Sequence, residues 1–482
     1  MPDHNLFVHH DHHFSEEDVY GIVPSHYEDH FVQYENPLEF ERGGGRKGGL
    51  VLIRRFVVGQ SLSSKKAKKP EGVRVVKKKT RESGTAFLKR MKANAGLEEA
   101  QRELQKQLYA HYKKERFLAL QQAQRILSTE SVANCLKRLI PESGGVHVSA
   151  QRRKEGGFRT RVGGVAPCKS TWGCPVCGYR KAQAARSELR KAVSQHIANG
   201  GHVMLMTLTF QHHRDNGPDG LKKLLGPLNE ATRYFKQRPI WRSLPLDGHV
   251  TSSEVTFGVD NGWHPHKHIL LFCKAGETGS MLRADQVVAL EDAWLHALEK
   301  NGLKGKRGVA LDLRGGGAAA SYVTKWGLED EMTQSESKES RYSISMPDAL
   351  LFSTDEYAKS MGATPEEQDA FAELYMMYYE AYKGKRRLTW SQNLRGKFNL
   401  SEESEEVEDV LSEQVGESEE SDETEPVVFS RSVSIQAWKL IWKVRLMPRF
   451  MWLLSMGLFD DVLSIIDRAE LRVRGVPPPS FR

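Results

Sequence analysis

A chain of 482 residues is long enough for two or three domains, each with its own core. No stretch approaches the roughly 18 consecutive apolar residues of a membrane span, and the N-terminus lacks a signal-peptide pattern, which together exclude a membrane partner and point to a soluble cytoplasmic protein. The net charge of +8 is modest, but residues 401–426 are densely acidic, so the remainder is markedly basic, as a nucleic-acid partner favours.

Residues 1–85 read as a disordered basic, His-rich tail, with HHDHH at 9–13 and a Lys-rich block at Lys65–Arg81. Residues 86–200 form a helical and cysteine-bearing region. Leu104, Leu108, Tyr112, Phe117, Leu120 and Ile126 recur at helical spacing, and a Gly-rich stretch then leads into a helix over Lys181–His196. Three of the five cysteines fall in CKSTWGCPVC (Cys168, Cys174, Cys177), a C-x5-C-x2-C array that suits a structural zinc in a reducing compartment. A redox pair is the competing reading of C-x-x-C, but no thioredoxin-like strand and helix surround it. Cys273 reads as a buried small apolar residue.

Residues 201–335 alternate in type. Strand His202–Phe210 is followed by helix Leu221–Gln237, strand Gly248–Val259, the turn Asp260-Asn261-Gly262, a histidine-bearing strand, helix Ala284–Asn301, strand Gly308–Leu313, and a helix after Gly315-Gly316-Gly317. Strand–helix–strand–strand–helix–strand is the ferredoxin-like split motif. The fold class expected is therefore α+β, with a central antiparallel sheet, flanking helices, a zinc-binding region before it and helical extensions after. In this topology the first and third strands lie side by side, which brings Thr207–Thr209 next to the histidines. Residues 336–400 form a basic helical extension containing KGKRR at 383–387, residues 401–426 an acidic linker, and residues 427–482 a C-terminal helical element suited to docking or oligomerisation.

The segment GWHPHKHILLFCK (Gly262–Lys274) places His264, His266 and His268 at every second position before an apolar run. Alternate side chains of a strand share a face, so the imidazoles line up where a divalent metal can be held. On the preceding strand Glu254 lies on the face away from Val255, Phe257 and Val259. If the turn is a three-residue loop with Gly262 left-handed, Val259 pairs with Trp263 and Glu254 stands opposite His268 as a third ligand. A two-residue loop turns Glu254 to the other face. Further on, Tyr322, Lys325 and Glu329 share one face of a helix. A phenol becomes a useful nucleophile only when a cation or metal favours its phenolate.

MTLTF (Met206–Phe210), HPHKHILLF (His264–Phe272) and YVTK (Tyr322–Lys325) together resemble the HUH endonuclease superfamily, and within it the rolling-circle replication initiators of plasmids. The resemblance covers about residues 130–400. It implies an HUH nuclease palm, with His266 and His268 as the metal pair and Mg²⁺ or Mn²⁺ as the ion. Lys267 departs from the hydrophobic residue of the pattern but leaves the ligand spacing intact, and His264 is an extra imidazole beside the pair. The resemblance further implies Tyr322 as the nucleophile assisted by Lys325, a 5′-phosphotyrosyl intermediate, and a free 3′-hydroxyl for extension.

The same family carries an upstream cysteine, onto which Cys135 maps to complete four thiolates for Zn²⁺; His147 is its replacement candidate. Some relatives have a glutamate four residues before the tyrosine for termination. Ala318 stands there in this chain, which leaves Glu329 or a second protomer's tyrosine for that step. The partners implied are DNA with a single-stranded nick site at an origin, host helicase and polymerase, and a second copy in a homodimer. Two alternatives are an HUH-type single-strand transposase and a non-catalytic zinc-containing DNA-binding regulator. Relaxases place the tyrosine before the histidine motif, against the order here.

Overall fold

The computed structural model describes residues 97–153, 156–211, 220–258, 262–274, 282–315, 343–400 and 426–476. Its elements form two antiparallel sheets with flanking helices, so the α+β expectation is borne out. Among the described residues, no helix is long and apolar enough to cross a membrane.

The first unit begins with helix α1 (Leu97–Ile126), which ends before a 3₁₀ turn at Ser131–Asn134. Strands β1 (Val146–Arg152) and β2 (Phe158–Gly163) follow as a hairpin within the Gly-rich stretch. Glycine is required at Gly164, whose φ is +77° and where a Cβ would sit 1.9 Å from the Gly145 carbonyl oxygen. Helix α2 (Pro175–Ala198) starts earlier than its apolar periodicity suggests. Pro175 occupies the first turn, where its missing N–H costs nothing, and the Cys174 side chain caps the helix by accepting from Cys177 N.

The second unit is the central sheet. Strand β3 (His202–Leu208), helix α3 (Gly220–Lys236), strands β4 (Leu246–Gly258) and β5 (Gly262–Cys273), helix α4 (Ala284–Lys300) and β6 (Leu311–Arg314) occur in the split-motif order. The strand order is β6-β3-β5-β4, followed by the two-residue β7 (Ser343–Ile344). Helices α5 (Met346–Phe352), α6 (Asp355–Met361) and α7 (Pro365–Tyr382) come next, and β8 (Leu388–Trp390) then pairs with residues 250–252 of β4.

The apolar half of β5 is buried on both faces because two separate layers cover it. Ile269, Leu271 and Cys273 pack with Leu228, Phe235, Leu290 and Trp294 of α3 and α4. Leu270 and Phe272 pack with Leu189 and Val193 of α2 and with Leu388, Leu394 and Phe398. The second layer stops at Leu270, and the same face of β5 continues with His268, His266 and His264.

The β4–β5 register differs from the expected one by two residues. Gly258 pairs with Gly262, so Glu254 stands opposite His266 and Ser252 opposite His268. Gly262 has the expected left-handed φ of +68°, but the connecting residues are 259–261, one place earlier than the turn signal suggested. An even slip preserves the face, so Glu254 still points to the histidines.

Residues 427–473 return to the first unit. Strand β9 (Val427–Val433) joins β1 to make the sheet order β2-β1-β9, and helices α8 (Ile435–Lys443), α9 (Met447–Met456) and α10 (Phe459–Val473) follow. Trp438, fully buried on α8, donates from Nε1 to the Leu136 carbonyl at 2.7 Å. Strand β9 follows the acidic run directly, where the sequence suggests only helices.

Candidate functional site

Two groups of side chains that could hold a metal ion are assembled among the described residues: Glu254 with His266 and His268, and Cys135 with Cys168, Cys174 and Cys177. In each group one ligand atom per residue lies within 4.8 Å of all the others.

In the first group, Glu254 Oε2 is 2.9 Å from His266 Nε2 and 3.0 Å from His268 Nε2. Both imidazoles therefore turn the same nitrogen inward. The opposite nitrogens explain why. His268 Nδ1 lies 3.0 Å from Thr207 Oγ1, and His266 Nδ1 faces the His264 carbonyl oxygen at 3.4 Å. Occupying Nδ1 fixes ring orientation and leaves the Nε2 lone pairs for a cation. Thr207 is directly across from His268 in the β3–β5 ladder, and Thr209 Oγ1 reaches His264 Nε2 at 2.9 Å.

The threonines of the MTLTF motif thus act as supports for the histidine row, a role the sequence indicated only as proximity. His264 contributes its backbone carbonyl and ring packing, outside the trio. Burial disfavours the charge on Glu254, but the His268 and His266 imidazoles more than offset it and hold the carboxyl well below the usual range. An ionised carboxylate and two imidazoles form a donor set that suits Mg²⁺ or Mn²⁺, with coordination positions left for phosphate oxygens and water.

In the cysteine group, Sγ separations are 3.7 Å for Cys135–Cys177, 3.7 Å for Cys168–Cys177 and 3.6 Å for Cys135–Cys174. Four sulfurs at about 2.3 Å from a tetrahedral zinc stand about 3.8 Å apart, so the thiols fit the edges of such a site. Backbone N–H groups point at two of them, Cys168 N at Cys135 Sγ and Cys177 N at Cys174 Sγ, each at 3.4 Å. Cys177 is held well below an ordinary thiol, first by the Cys135 thiol and then by those of Cys168 and Cys174, with burial opposing and Arg180 adding charge. Its place in the first turn of α2 favours a thiolate further. His147 is outside the cluster, bonded instead to Ser432 Oγ and the Ser143 carbonyl. Cys273 is fully buried, and burial pushes its thiol up to about 11.

Tyr322 and Lys325, with Ala318 and Glu329, lie outside the described residues.

The sequence model of the replication protein family (Rep_1) matches residues 159–439, more than half of the chain. The chain belongs to the replication protein family. The matched span contains Cys168, Cys174, Cys177 and the whole Glu254–His266–His268 trio, while Cys135 precedes it. Among curated relatives, a "Protein rep" of Streptomyces lividans is 30% identical over 155 residues, which cover 26% of this chain and 33% of the relative. A "Protein rep" of Lactiplantibacillus plantarum is 29% identical over 107 residues, covering 21% and 32%. A "Neomycin resistance protein" of Streptomyces cyanogenus is 27% identical over 133 residues, covering 22% and 30%. The alignments thus span about a third of the length of these relatives. No solved structure matches. The resemblance to Rep initiators read from the motifs is borne out at the level of a Rep-family replication protein.

Proposed function

We propose that this replication protein initiates rolling-circle replication of a plasmid by nicking one DNA strand at an origin through Tyr322. The observation that carries the reading is the convergence of Glu254, His266 and His268 on one point of the central strand of a Rep-family chain. A divalent cation held by these three side chains would polarise the scissile phosphate and stabilise charge on its oxygens.

The Tyr322 phenolate attacks phosphorus. A tyrosyl O–P bond forms, the P–O3′ bond breaks, and the departing 3′-oxygen takes a proton to become the hydroxyl that a polymerase extends. Lys325, three residues on in the sequence, would supply positive charge that favours the phenolate. Closing the displaced circle needs a second transfer, for which Glu329 or the tyrosine of a second protomer in a homodimer is available. Host helicase and polymerase would supply unwinding and synthesis. We assign Zn²⁺ to the four cysteines as a structural ion that ties Cys135 at the end of the α1 region to the first turn of α2.

The test is incubation with supercoiled DNA carrying the gene's own region and Mg²⁺ or Mn²⁺. Nicked circles with covalently attached protein are expected, and peptide mapping should find the nucleotide on Tyr322. Tyr322→Phe should keep folding and DNA binding but form no adduct. An adduct on another residue, or nicking by Tyr322→Phe at the wild-type rate, overturns the mechanism.

A further inference from the structure

The face of the central sheet turned away from the histidines carries a second, unassigned group of polar side chains. Along β4, Thr251 and Ser253 point opposite to Ser252 and Glu254, and Lys267 of β5 points with them, away from its neighbours His266 and His268. Lys267 Nζ donates to Ser253 Oγ. Lys236, the last residue of α3, donates to Thr251 Oγ1 at 2.6 Å and lies 5.8 Å from the centre of the Trp241 ring. Thr389 of β8 stands directly across from Thr251 and extends the hydroxyl row. Lys385, from the KGKRR run, is exposed and close enough to Lys267 to repel it.

No carboxylate pairs with either inner lysine among the described residues. Both ammonium groups bond only to hydroxyls, although Lys267 is 8% exposed and Lys236 is half-buried. Two residues along a strand span about 6.6 Å, so the hydroxyls hold these cations side by side. A buried cation is ordinarily paired, and two adjacent ones without an anion raise each other's cost. Burial, and then repulsion from Lys267, lowers the Lys236 ammonium to about 7. An oxyanion would relieve both effects. Each hydroxyl can accept from its lysine while donating to a phosphate oxygen.

Strand β8 covers residues 250–252 and β7 covers 257–258, and no described strand pairs with 253–256 on that edge. Ser253 and Glu254 sit in this gap, one on each face.

We propose that Lys236, Lys267, Thr251 and Ser253, with Lys385 at the rim, bind a backbone phosphate of the DNA strand on the face opposite the metal-binding trio. The identity of the partner rests on the reading of this chain as an origin-nicking replication protein. The cluster anchors the strand outside the cleavage site.

The test uses the full chain with EDTA present and follows the anisotropy of a fluorescein-labelled thymidine oligonucleotide. Removing one phosphate contact to a single strand lowers the magnitude of the log K against log salt slope by about 0.7 and weakens low-salt binding by about tenfold. Lys236→Met should show this, and Thr251→Val should move in the same direction. Lys359→Met, which removes an exposed lysine on α6, should change affinity by less than about twofold. Lys236→Met deletes an unpaired cation, so its melting temperature should be no lower than that of the wild type. Wild-type affinity and slope in both Lys236→Met and Thr251→Val overturn the site. If these variants instead lose only the thermal stabilisation given by inorganic phosphate, the site takes a free anion and the strand assignment fails. Binding is read without metal, so a protein that binds in this way but never nicks overturns the proposed cleavage and leaves this inference standing.

Discussion

Thr207 on β3 holds His268 on β5 by a 3.0 Å contact between Oγ1 and Nδ1, and the two residues are exact partners in the strand ladder. The contact leaves His268 Nε2 facing Glu254. A motif that reads as an apolar strand with two threonines thus sets which nitrogen of a histidine is offered to a cation.

Thr207→Val keeps the side-chain shape and removes the hydroxyl. Losing such a supporting contact costs about 10- to 100-fold in metal affinity. The variant should bind Mn²⁺ at least about tenfold more weakly in a calorimetric titration, with no change in fold. Thr207→Ser should recover most of the loss. A Val variant with wild-type Mn²⁺ affinity would mean that the ring is oriented by packing alone.

Cys177→Ser should abolish zinc binding, because it removes the thiol that approaches both Cys135 and Cys168 at 3.7 Å. Native protein should carry one zinc per chain by elemental analysis, and a strong chelator should lower its melting temperature, since structural zinc contributes folding energy directly. Cys273→Ser, at a buried position outside the cluster, should keep its zinc. Protein purified without chelator that contains no zinc would remove the assignment.

How much of this was legible beforehand follows from how local each signal is. The histidine strand, its neighbour β3 and the face of Glu254 depend on two-residue periodicity and strand order, both carried by the sequence. The register was not, because Asp260-Asn261-Gly262 is compatible with loops that begin at residue 259, 260 or 261. Only the paired strands choose Gly258 opposite Gly262. Strand β9 is not legible locally because its partner β1 lies about 280 residues earlier, and pairing at that separation leaves no local trace. The reverse-face lysines were equally hidden. Lys236 reads as the basic end of a helix, and its burial against Thr251 appears only when α3 is laid on the sheet.

Lys236 gives a pH dependence whose sign is fixed. Burial first, and then Lys267, lowers it from 10.5 to about 7. Between those values the unfolded chain holds a proton that the native state has released, so this group makes stability rise with pH across that window. Below about 7 both states are protonated and its full penalty is present. His249, lowered to about 3 by burial and by Lys236, stays neutral throughout the window. Lys236→Met should therefore be more stable than the wild type in urea at neutral pH, with the difference shrinking towards pH 10. A difference that does not vary with pH would show that the ammonium is not desolvated as described.

Glu254 offers the sharpest test of the proposed metal site because its neighbours separate charge from reach. Its Oε2 lies 2.9 Å and 3.0 Å from the two imidazoles, and those imidazoles outweigh burial to keep it ionised. Glu254→Gln keeps the length and the oxygen but removes the charge. Glu254→Asp keeps the charge but withdraws it by one methylene, about 1.5 Å. If the carboxylate is a ligand, both variants should lose Mn²⁺ affinity and nicking, since metal sites need charge and distance together. The Gln variant should fall further, by about 100-fold or more in nicking, because a neutral amide neither balances the cation nor replaces the lost attraction. DNA binding without metal should stay within about twofold of wild type in both, because affinity for DNA rests mainly on cations that contact phosphates and Glu254 is not one of them. Should Glu254→Gln nick at the wild-type rate with unchanged Mn²⁺ affinity, Glu254 would be only a hydrogen-bond acceptor for His266 and His268, and the third ligand would have to be sought on another element.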